Sequence, residues 1–141
     1  MRVMITGADG FAGSHVAAAL NRACRHAVVI STGRQACHHA VLGPVAALDV
    51  TDRQAVDAAI KDQTPSHIIH LAAMAAPGAA NAEPRRAWEV NLQGTLNLAY
   101  AVLQYAPDCF LLFVSSGLVY GGSAASGLPL EEGALLAPSD E

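Results

Sequence analysis

The chain has 141 residues, of which 52% are apolar and 14% charged, and a formal net charge of −4. The length suits one domain over residues 1–141, and the charged share, well below the roughly 25% of an average soluble domain, indicates a globular chain with a large core. The seven Arg and one Lys are scattered along the sequence. Nucleic-acid binding needs a basic stripe, so we expect no nucleic-acid partner.

The N-terminal apolar run is interrupted at Gly7, which makes it too short for a secretory signal, and no apolar run approaches the roughly 20 residues of a membrane span. We therefore expect a cytoplasmic chain without a membrane partner. Cys24, Cys37 and Cys109 lack Cys-x-x-Cys spacing, which argues for reduced thiols and against a disulfide framework. The His and Cys residues around Cys37 match no familiar zinc-binding spacing, so no metal site is predicted.

Short runs rich in Val, Ile, Leu and Phe alternate with longer segments of helical period. This alternation is typical of a parallel sheet with helices on both faces, and it predicts a doubly wound α/β fold. The five predicted strands cover residues 2–6, 27–31, 45–48, 67–71 and 110–115. The predicted helices cover 12–23, a segment from the capping-box pattern at Thr51 to about 62, and 84–105, whereas 72–82 and 121–133 are predicted as loops.

The longest predicted helix is apolar on nearly every side. One stripe consists of Trp88, Leu92, Leu96, Ala99 and Leu103. Other faces carry Val90, Leu98, Ala101 and Val102. Such a helix has two surfaces to pack against, one of which is the sheet.

The first predicted strand leads into a glycine-rich segment that opens the first predicted helix. A dinucleotide pyrophosphate needs N–H donors at a helix N-terminus, a turn with φ > 0, and no Cβ where backbone meets phosphate or helix meets strand. Gly7, Gly10 and Gly13, with the N–H groups of Phe11 and Ala12, meet these needs and predict a dinucleotide site. The alternative is a tight strand-to-helix turn in a flavodoxin-like sheet that binds no dinucleotide.

Four segments follow one another in a specific order: 6–13 around the glycines, 48–50 (Leu-Asp-Val), 70–73 (His-Leu-Ala-Ala), and 91–97 (Asn-Leu-Gln-Gly-Thr-Leu-Asn) followed by 114–121 (Val-Ser-Ser-Gly-Leu-Val-Tyr-Gly). In these motifs, over essentially its whole length, the chain resembles the extended short-chain dehydrogenase/reductases. This family comprises nucleotide-sugar epimerases, 4,6-dehydratases and 4-ketoreductases, and within it the chain looks most like reductases of GDP-4-keto-6-deoxy sugars. The resemblance implies a Rossmann-like fold, NAD or NADP as cofactor, and a nucleotide-sugar substrate changed by hydride transfer at C4. It also implies a homodimer, since relatives pair the long helix with the next one.

The resemblance assigns roles to single residues. The cofactor-contacting positions that it implies are Asp49, Val50, Leu71, Ala72, Ala73 and Asn91. In relatives the acid that corresponds to Asp49 contacts the adenine amino group, and small residues at 72–73 let the dinucleotide approach. Asn91 corresponds to a buried Asn, for which satisfaction by neighbouring backbone is an equal alternative. Ser116 corresponds to the catalytic hydroxyl that binds the oxygen at sugar C4, and its alternative role is to cap backbone at a strand end.

Two departures bear on the cofactor and the reaction. Many NAD-specific relatives end the second strand with an acid that binds ribose hydroxyls, but here the stretch reads Ser31-Thr-Gly-Arg34. With no carboxylate there to repel a 2′-phosphate, Ser31, Thr32 and Arg34 favour NADP(H), although Arg34 also fits a solvated loop. Dehydratases carry acids directly after the catalytic hydroxyl, and this chain has Gly117 and Leu118, so ketoreduction or epimerisation is expected.

The Tyr-x-x-x-Lys pair on which the family's chemistry depends is missing from this sequence, whose only lysine is Lys61. We therefore expect the 141 residues to be the N-terminal part of a longer architecture and to be inactive alone. The competing hypothesis is a non-catalytic dinucleotide-binding module or redox sensor that has lost the pair.

Overall fold

The computed structural model describes residues 1–127 and 129–138. Its strands are β1 (Arg2–Thr6), β2 (Val28–Gly33), β3 (Cys37–His39), β4 (Gly43–Ala47), β5 (His67–His70) and β6 (Phe110–Phe113). Its helices are α1 (Phe11–Ala23), α2 (Arg53–Gln63), α3 (Pro77–Ala82), α4 (Pro84–Trp88) and α5 (Gly94–Tyr105), with a π-helical turn at Glu89–Gln93 and a 3₁₀ helix at Gly117–Ser126. None of the helices in this part of the chain has the length and hydropathy to cross a membrane.

The strands form one sheet in the order β3-β4-β2-β1-β5-β6. All neighbouring pairs are parallel except β3 with β4. The chain moves outward from β1 to β2 and β4, then crosses to β5 on the other side of β1, so the strand order reverses between β1 and β5. Open α/β sheets bind ligands at such a reversal, beyond the carboxyl ends of the strands. The predicted doubly wound α/β fold is confirmed.

Helices cover both faces of the sheet. Val3 and Ile5 of β1 belong to a buried cluster with Ala17 of α1 on one face. Met4 belongs to a larger cluster on the other face, which contains residues of α2 and Leu98 of α5. This alternation along β1 is the two-residue period of a strand that is buried on both sides.

The helix predicted over 84–105 forms, but as three consecutive pieces. The residues at both junctions, Trp88 and Gln93, keep right-handed helical dihedrals, so α4, the π turn and α5 continue one another as one long helix. Its outer side carries exposed apolar side chains: Trp88 (64%), Leu92 (49%), Leu96 (37%), Tyr100 (55%) and Leu103 (71%). Its inner side packs on the sheet through Val90, Leu98, Ala101 and Val102. The prediction of two apolar faces is confirmed, and the outer one lies open.

Three local predictions are wrong. The loops predicted over 72–82 and 121–133 contain α3 and much of the 3₁₀ helix, elements too short or irregular for a 3.6-residue period to show. No strand pattern marks β3, which forms by antiparallel pairing such as Cys37 with Val45. Asp52, and not Thr51, caps α2, because its carboxylate accepts hydrogen bonds from Gln54 N and Ala55 N. The Thr51 hydroxyl belongs to the site described below.

Strand β6 is the sheet's outer edge in the described part of the chain. Phe110, Leu112 and Phe113 are 61%, 43% and 51% exposed, and only Leu111 packs against the core. The pairing of His70 with Phe113 places the end of β6 beside the end of β5. Residues that follow these two strands therefore lie at the same edge of the sheet.

Candidate functional site

The glycine loop joins β1 to α1 where the strand order reverses. Gly7 has φ +67°, and a Cβ at Gly7 would lie 2.8 Å from the Cα of Ala72, so this position requires glycine. Gly10 is the N-cap of α1, and no side chain caps the helix. The N–H groups of Phe11 and Ala12 therefore lie at the positive end of the helix dipole without an intrahelical acceptor.

The loop is also held against its neighbours by packing and by one backbone bond. Gly13 is buried, and a Cβ there would overlap with the backbone of Ala8. Gly13 thus allows the close approach of α1 to the end of β1, which is the packing role expected for this glycine. Ala8 N donates to Thr32 O at 2.9 Å, which ties the loop to the end of β2.

A cleft of about 430 Å³ opens beside the loop. Its lining contains the predicted residues Gly7, Gly10, Arg34, Asp49, Val50, Leu71, Ala72 and Ala73. It also contains Asp9, Leu48, Met74, Glu83, Arg86 and Val90, which sequence reasoning did not assign. The predicted residues Phe11, Ala12, Gly13, Ser31 and Asn91 are not part of this lining.

The end of β2 differs from the sequence-based interpretation. Ser31 is 7% exposed within the sheet, and the Thr32 hydroxyl donates to Ile5 O at 3.1 Å. Neither hydroxyl lines the cleft, so this geometry does not support a contact of Ser31 with the cofactor, which stays a prediction. Asp9 of the glycine loop lies against Gly33, where a Cβ would be 2.6 Å from Asp9 Oδ1. The end of β2 therefore has a carboxylate beside it, although the sequence of the strand shows none.

Asp49 lies at the base of the cleft in a network with Thr51 and Arg86. Its Oδ1 accepts from Thr51 Oγ1 at 2.7 Å and from Thr51 N at 2.9 Å, and its Oδ2 accepts from Arg86 Nη2 at 3.3 Å. The Thr51 hydroxyl, with smaller contributions from the Thr51 N–H and from Arg86, holds the pKa of Asp49 below its ordinary value against the effect of partial burial. Arg86 also pairs with Glu89 at 3.3 Å. Arg86 therefore joins the start of the long helix to the Asp49 carboxylate of the cleft.

The two asparagines of the long helix, Asn91 and Asn97, have different environments. Asn91 is exposed, and it is held by the loop after β5, because its Oδ1 accepts from Met74 N at 2.8 Å. The buried asparagine is Asn97, which is 3% exposed and donates to Val50 O at 3.0 Å. The expectation of a buried Asn91 is wrong, and its alternative, satisfaction by neighbouring backbone, is what the structure shows.

His70 connects three elements at the edge of the site. Its Nδ1 lies 2.6 Å from Thr6 Oγ1 at the end of β1, and its Nε2 lies 3.1 Å from Thr95 Oγ1 in α5. Thr95 Oγ1 donates to Asn91 O at 2.7 Å. Thr95 is therefore the acceptor for a proton on His70 Nε2, and Thr6 is the donor to Nδ1. Burial lowers the pKa of His70 to about 4, which keeps the ring neutral.

Ser116 follows β6 at the same edge of the sheet as the glycine loop. It is the N-cap of the 3₁₀ helix, and its Oγ accepts from Leu118 N at 3.2 Å. This is the backbone-capping role anticipated as the alternative. The hydroxyl is exposed, and its proton is available to a second partner because Oγ acts here as an acceptor.

A metal site is not formed in residues 1–127 and 129–138, where no three His, Cys, Asp or Glu side chains come together. The features that do converge suit a dinucleotide. They are an uncapped helix N-terminus, a glycine loop, and the small residues Ala72 and Ala73 across from it.

The sheet order and the glycine loop define a Rossmann-like α/β domain of the dinucleotide-binding class. The chain belongs to the NAD dependent epimerase/dehydratase family, whose model matches residues 3–140. This agrees with the resemblance expected from the sequence motifs.

The individual relatives include sugar-nucleotide epimerases and reductases. The chain is 33% identical to a UDP-glucose 4-epimerase of Caenorhabditis elegans over 94% of its own length and 42% of that protein. It is 30% identical to a GDP-6-deoxy-D-mannose reductase of Pseudomonas aeruginosa over 93% of its length and 39% of that protein. The crystal structure of a Thermus thermophilus UDP-glucose 4-epimerase in complex with NAD matches with a TM-score of 0.83 at 33% identity, over 98% of this chain and 45% of that one. The chain thus spans about two fifths of the length of these relatives.

Proposed function

We propose that the cleft beside the glycine loop binds NAD(H) or NADP(H). The observation that carries this proposal is the uncapped N-terminus of α1, which lies at the strand-order reversal beside the cleft. Phosphate oxygens of the cofactor accept from the N–H groups of Phe11 and Ala12, and the helix dipole favours their charge. Ala72 and Ala73 leave room for the dinucleotide on the opposite wall.

The adenosine end of the cofactor belongs at Asp49 and Val50 in this proposal. Both residues line the cleft at the end of the β4 segment. The Asp49 carboxylate already receives donors on both oxygens, from Thr51 and Arg86. Each carboxylate oxygen accepts more than one hydrogen bond, so an adenine amino group finds a remaining acceptor there.

The proposed reaction is hydride transfer at C4 of a nucleotide-linked sugar, as a 4-ketoreductase or a 4-epimerase. The nicotinamide supplies or accepts the hydride. The Ser116 hydroxyl would donate a hydrogen bond to the oxygen at C4, while the backbone N–H of Leu118 keeps Oγ in place. The proton exchanged at that oxygen would belong to the tyrosine of the family's Tyr-x-x-x-Lys pair. The family membership and the names of the relatives support this reaction class.

A second candidate is a dinucleotide-binding module without catalysis. The observation in its favour is the sequence itself, in which Gln104, Cys109 and Ala124 stand four residues after the tyrosines, where the family's chemistry needs a lysine. The 141 residues alone are accordingly predicted to bind the dinucleotide and to leave sugar substrates unchanged.

The outer face of the long helix supports a proposal about assembly. Its exposed stripe runs from Trp88 to Leu103, and contiguous exposed apolar side chains of this kind mark an interaction surface. We assign this face to a homodimer interface. The cytoplasmic location expected from the sequence remains a prediction.

The proposed reaction is tested by measuring hydride transfer from the reduced cofactor to a sugar substrate. The complete protein, loaded with NADH or NADPH, is mixed with nucleotide-linked 4-keto-6-deoxy sugars while absorbance of the reduced cofactor is followed. We expect turnover, and we expect Ser116→Ala to lower kcat by about 10²-fold or more, as loss of one donor to a reacting oxygen does elsewhere. The neighbouring exposed Ser115 gives a matched control, Ser115→Ala, which should retain activity. Equal effects of the two substitutions would remove Ser116 from the reaction.

A further inference from the structure

The carboxylate of Asp9 occupies the place at which the second strand of an NAD-binding domain usually presents an acid. The backbone bond from Ala8 N to Thr32 O fixes the start of the glycine loop beside the end of β2. Asp9 follows directly, and its carboxylate lies over Gly33, whose missing side chain leaves the space. Asp9 is exposed and lines the cleft.

The charges around this point decide which ribose fits. Among the described residues, the Asp9 carboxylate has no hydrogen bond or ion pair with the protein, so its oxygens are available to a ligand. A carboxylate is an acceptor only and binds the 2′- and 3′-hydroxyls of a ribose, whereas it repels a 2′-phosphate. The two hydroxyls that favoured a phosphate, those of Ser31 and Thr32, lie inside the sheet.

Arg34 is the remaining argument for a phosphate at this end of the cleft. It is exposed at the cleft's rim, and no carboxylate in the described residues pairs with it. Both Arg34 and Asp9 are exposed, so salt weakens the effect of either charge, but only the Asp9 carboxylate lies against the strand end itself. Asp9 therefore determines whether this end of the cleft favours ribose hydroxyls or a 2′-phosphate.

We infer that Asp9 of the glycine loop takes the place of the missing strand-end acid, binds the adenosine ribose hydroxyls, and makes the protein prefer NAD(H) over NADP(H). This inference rests on the proposed dinucleotide site. It reverses the preference that the sequence of the strand alone favours.

Binding constants of wild type and two variants test this inference without any catalytic readout. The variants are Asp9→Asn, which keeps the shape of the side chain and removes its charge, and Asp62→Asn, a matched exposed acid at the end of α2. Each protein is titrated calorimetrically with NAD⁺ and, separately, with NADP⁺. We expect wild type and Asp62→Asn to bind NAD⁺ more tightly than NADP⁺. We expect Asp9→Asn to shift the ratio of the two dissociation constants toward NADP⁺ by about tenfold or more, the scale of one charged hydrogen bond.

The possible results separate the inference from the proposed function. Tight binding of either dinucleotide with the same ratio in Asp9→Asn and Asp62→Asn would overturn the role of Asp9 and leave the cleft as the cofactor site. A wild-type preference for NADP⁺ would likewise overturn it. Binding of neither dinucleotide by the folded wild type would overturn the proposed function and the inference with it.

Discussion

At the scale of single residues, His70 joins the end of β1, the end of β5 and the long helix through its two ring nitrogens. Nδ1 accepts the hydrogen bond from the Thr6 hydroxyl only while it carries no proton. Protonation of Nδ1 would therefore break that hydrogen bond and bury a positive charge. Thr95, which contacts His70 Nε2, donates a hydrogen bond to the backbone oxygen of Asn91. The side chain of Asn91 in turn accepts from the backbone N–H of Met74 in the cleft wall. The neutral imidazole thus helps to fix the geometry around the cleft.

Stability should therefore depend on pH through His70. Its pKa is about 4 in the folded chain, against 6.5 for an ordinary histidine, so between these values the unfolded chain binds a proton that the folded chain does not. The contribution is fully present above pH 6.5 and is lost as pH falls toward 4, by about 3 kcal/mol at most. Denaturant unfolding of wild type and His70→Gln from pH 4 to 7.5 measures it. The difference between the two proteins should shrink on acidification, and a constant difference would contradict the assignment. The exposed His26, as His26→Gln, provides the control.

Asn97 gives a second test at this scale. Its amide donates to Val50 O, lies 3.3 Å from Thr51 O, and accepts from Gln93 Nε2 at 3.0 Å. Asn97→Ala leaves buried polar groups without partners and should lower the free energy of unfolding by about 2 kcal/mol. The exposed Asn21, as Asn21→Ala, should change it little. Similar losses in both variants would show that the Asn97 network does not stabilise the fold.

Single-residue roles could be predicted where the reason is local. The need for glycine at positions 7 and 13 follows from a strand that turns directly into a helix. The contacts of Asp9 with Gly33 and of Arg86 with Asp49 join residues distant in sequence, and no spacing rule reports them. The environments of Asn91 and Asn97 could not be predicted either. The π turn between Glu89 and Gln93 changes which residues of the long helix face the sheet, compared with a regular helix.

At the scale of elements, the sequence at the start of α2 allows two residues, Thr51 and Asp52, as the N-cap of the helix. The capping-box pattern assigns the cap to Thr51, whereas in the structure Asp52 accepts from two N–H groups of the first turn. Asp52→Ala should destabilise the chain by about 1 kcal/mol, the usual value of an N-cap. Thermal unfolding with Asp62→Ala as the exposed control measures this loss. An unchanged unfolding temperature in Asp52→Ala would indicate that Thr51, and not Asp52, is the N-cap.

The long strands and helices were predictable because their apolar periods extend over many residues. Strand β1 was predicted with the bounds that the structure shows, and the ends of the other predicted strands differ by at most two residues. The three-residue β3 and the six-residue α3 are too short to carry a period, and they depend on pairing and on Pro77. Short elements of this kind follow from tertiary context.

At the scale of the whole molecule, the open face of the long helix predicts self-association. The protein should sediment as a dimer at micromolar concentration. Leu103→Glu, at the most exposed apolar position of the stripe, should shift it to monomer, since a charge would be buried in the interface. Asn21→Glu adds the same charge at an exposed residue of α1, away from the stripe, and should leave the dimer intact. A monomeric wild type, or a dimer unaffected by Leu103→Glu, would contradict the proposed interface.

The sheet order completes what the sequence could tell about the molecule. Alternating strand and helix patterns predicted a parallel sheet covered on both faces, whereas the order of the strands is known only from the structure. The exposure of Phe110, Leu112 and Val114 on and directly after β6 agrees with the expectation that one side of this strand lies uncovered in the 141 residues.

The central claim is that the glycine loop binds a dinucleotide, and titration of the folded protein with NAD⁺ and NADP⁺ tests it most directly. Gly10→Val adds a branched side chain at the N-cap of α1, where a Cβ lies 3.2 Å from Gly7 O. Gly133→Val is the control, because a Cβ there meets nothing within 4 Å. We predict saturable binding of at least one dinucleotide by wild type and Gly133→Val, and a loss of about 100-fold or more in Gly10→Val with unchanged circular dichroism. Equal affinity in Gly10→Val, or no binding of either dinucleotide by wild type, would contradict the account.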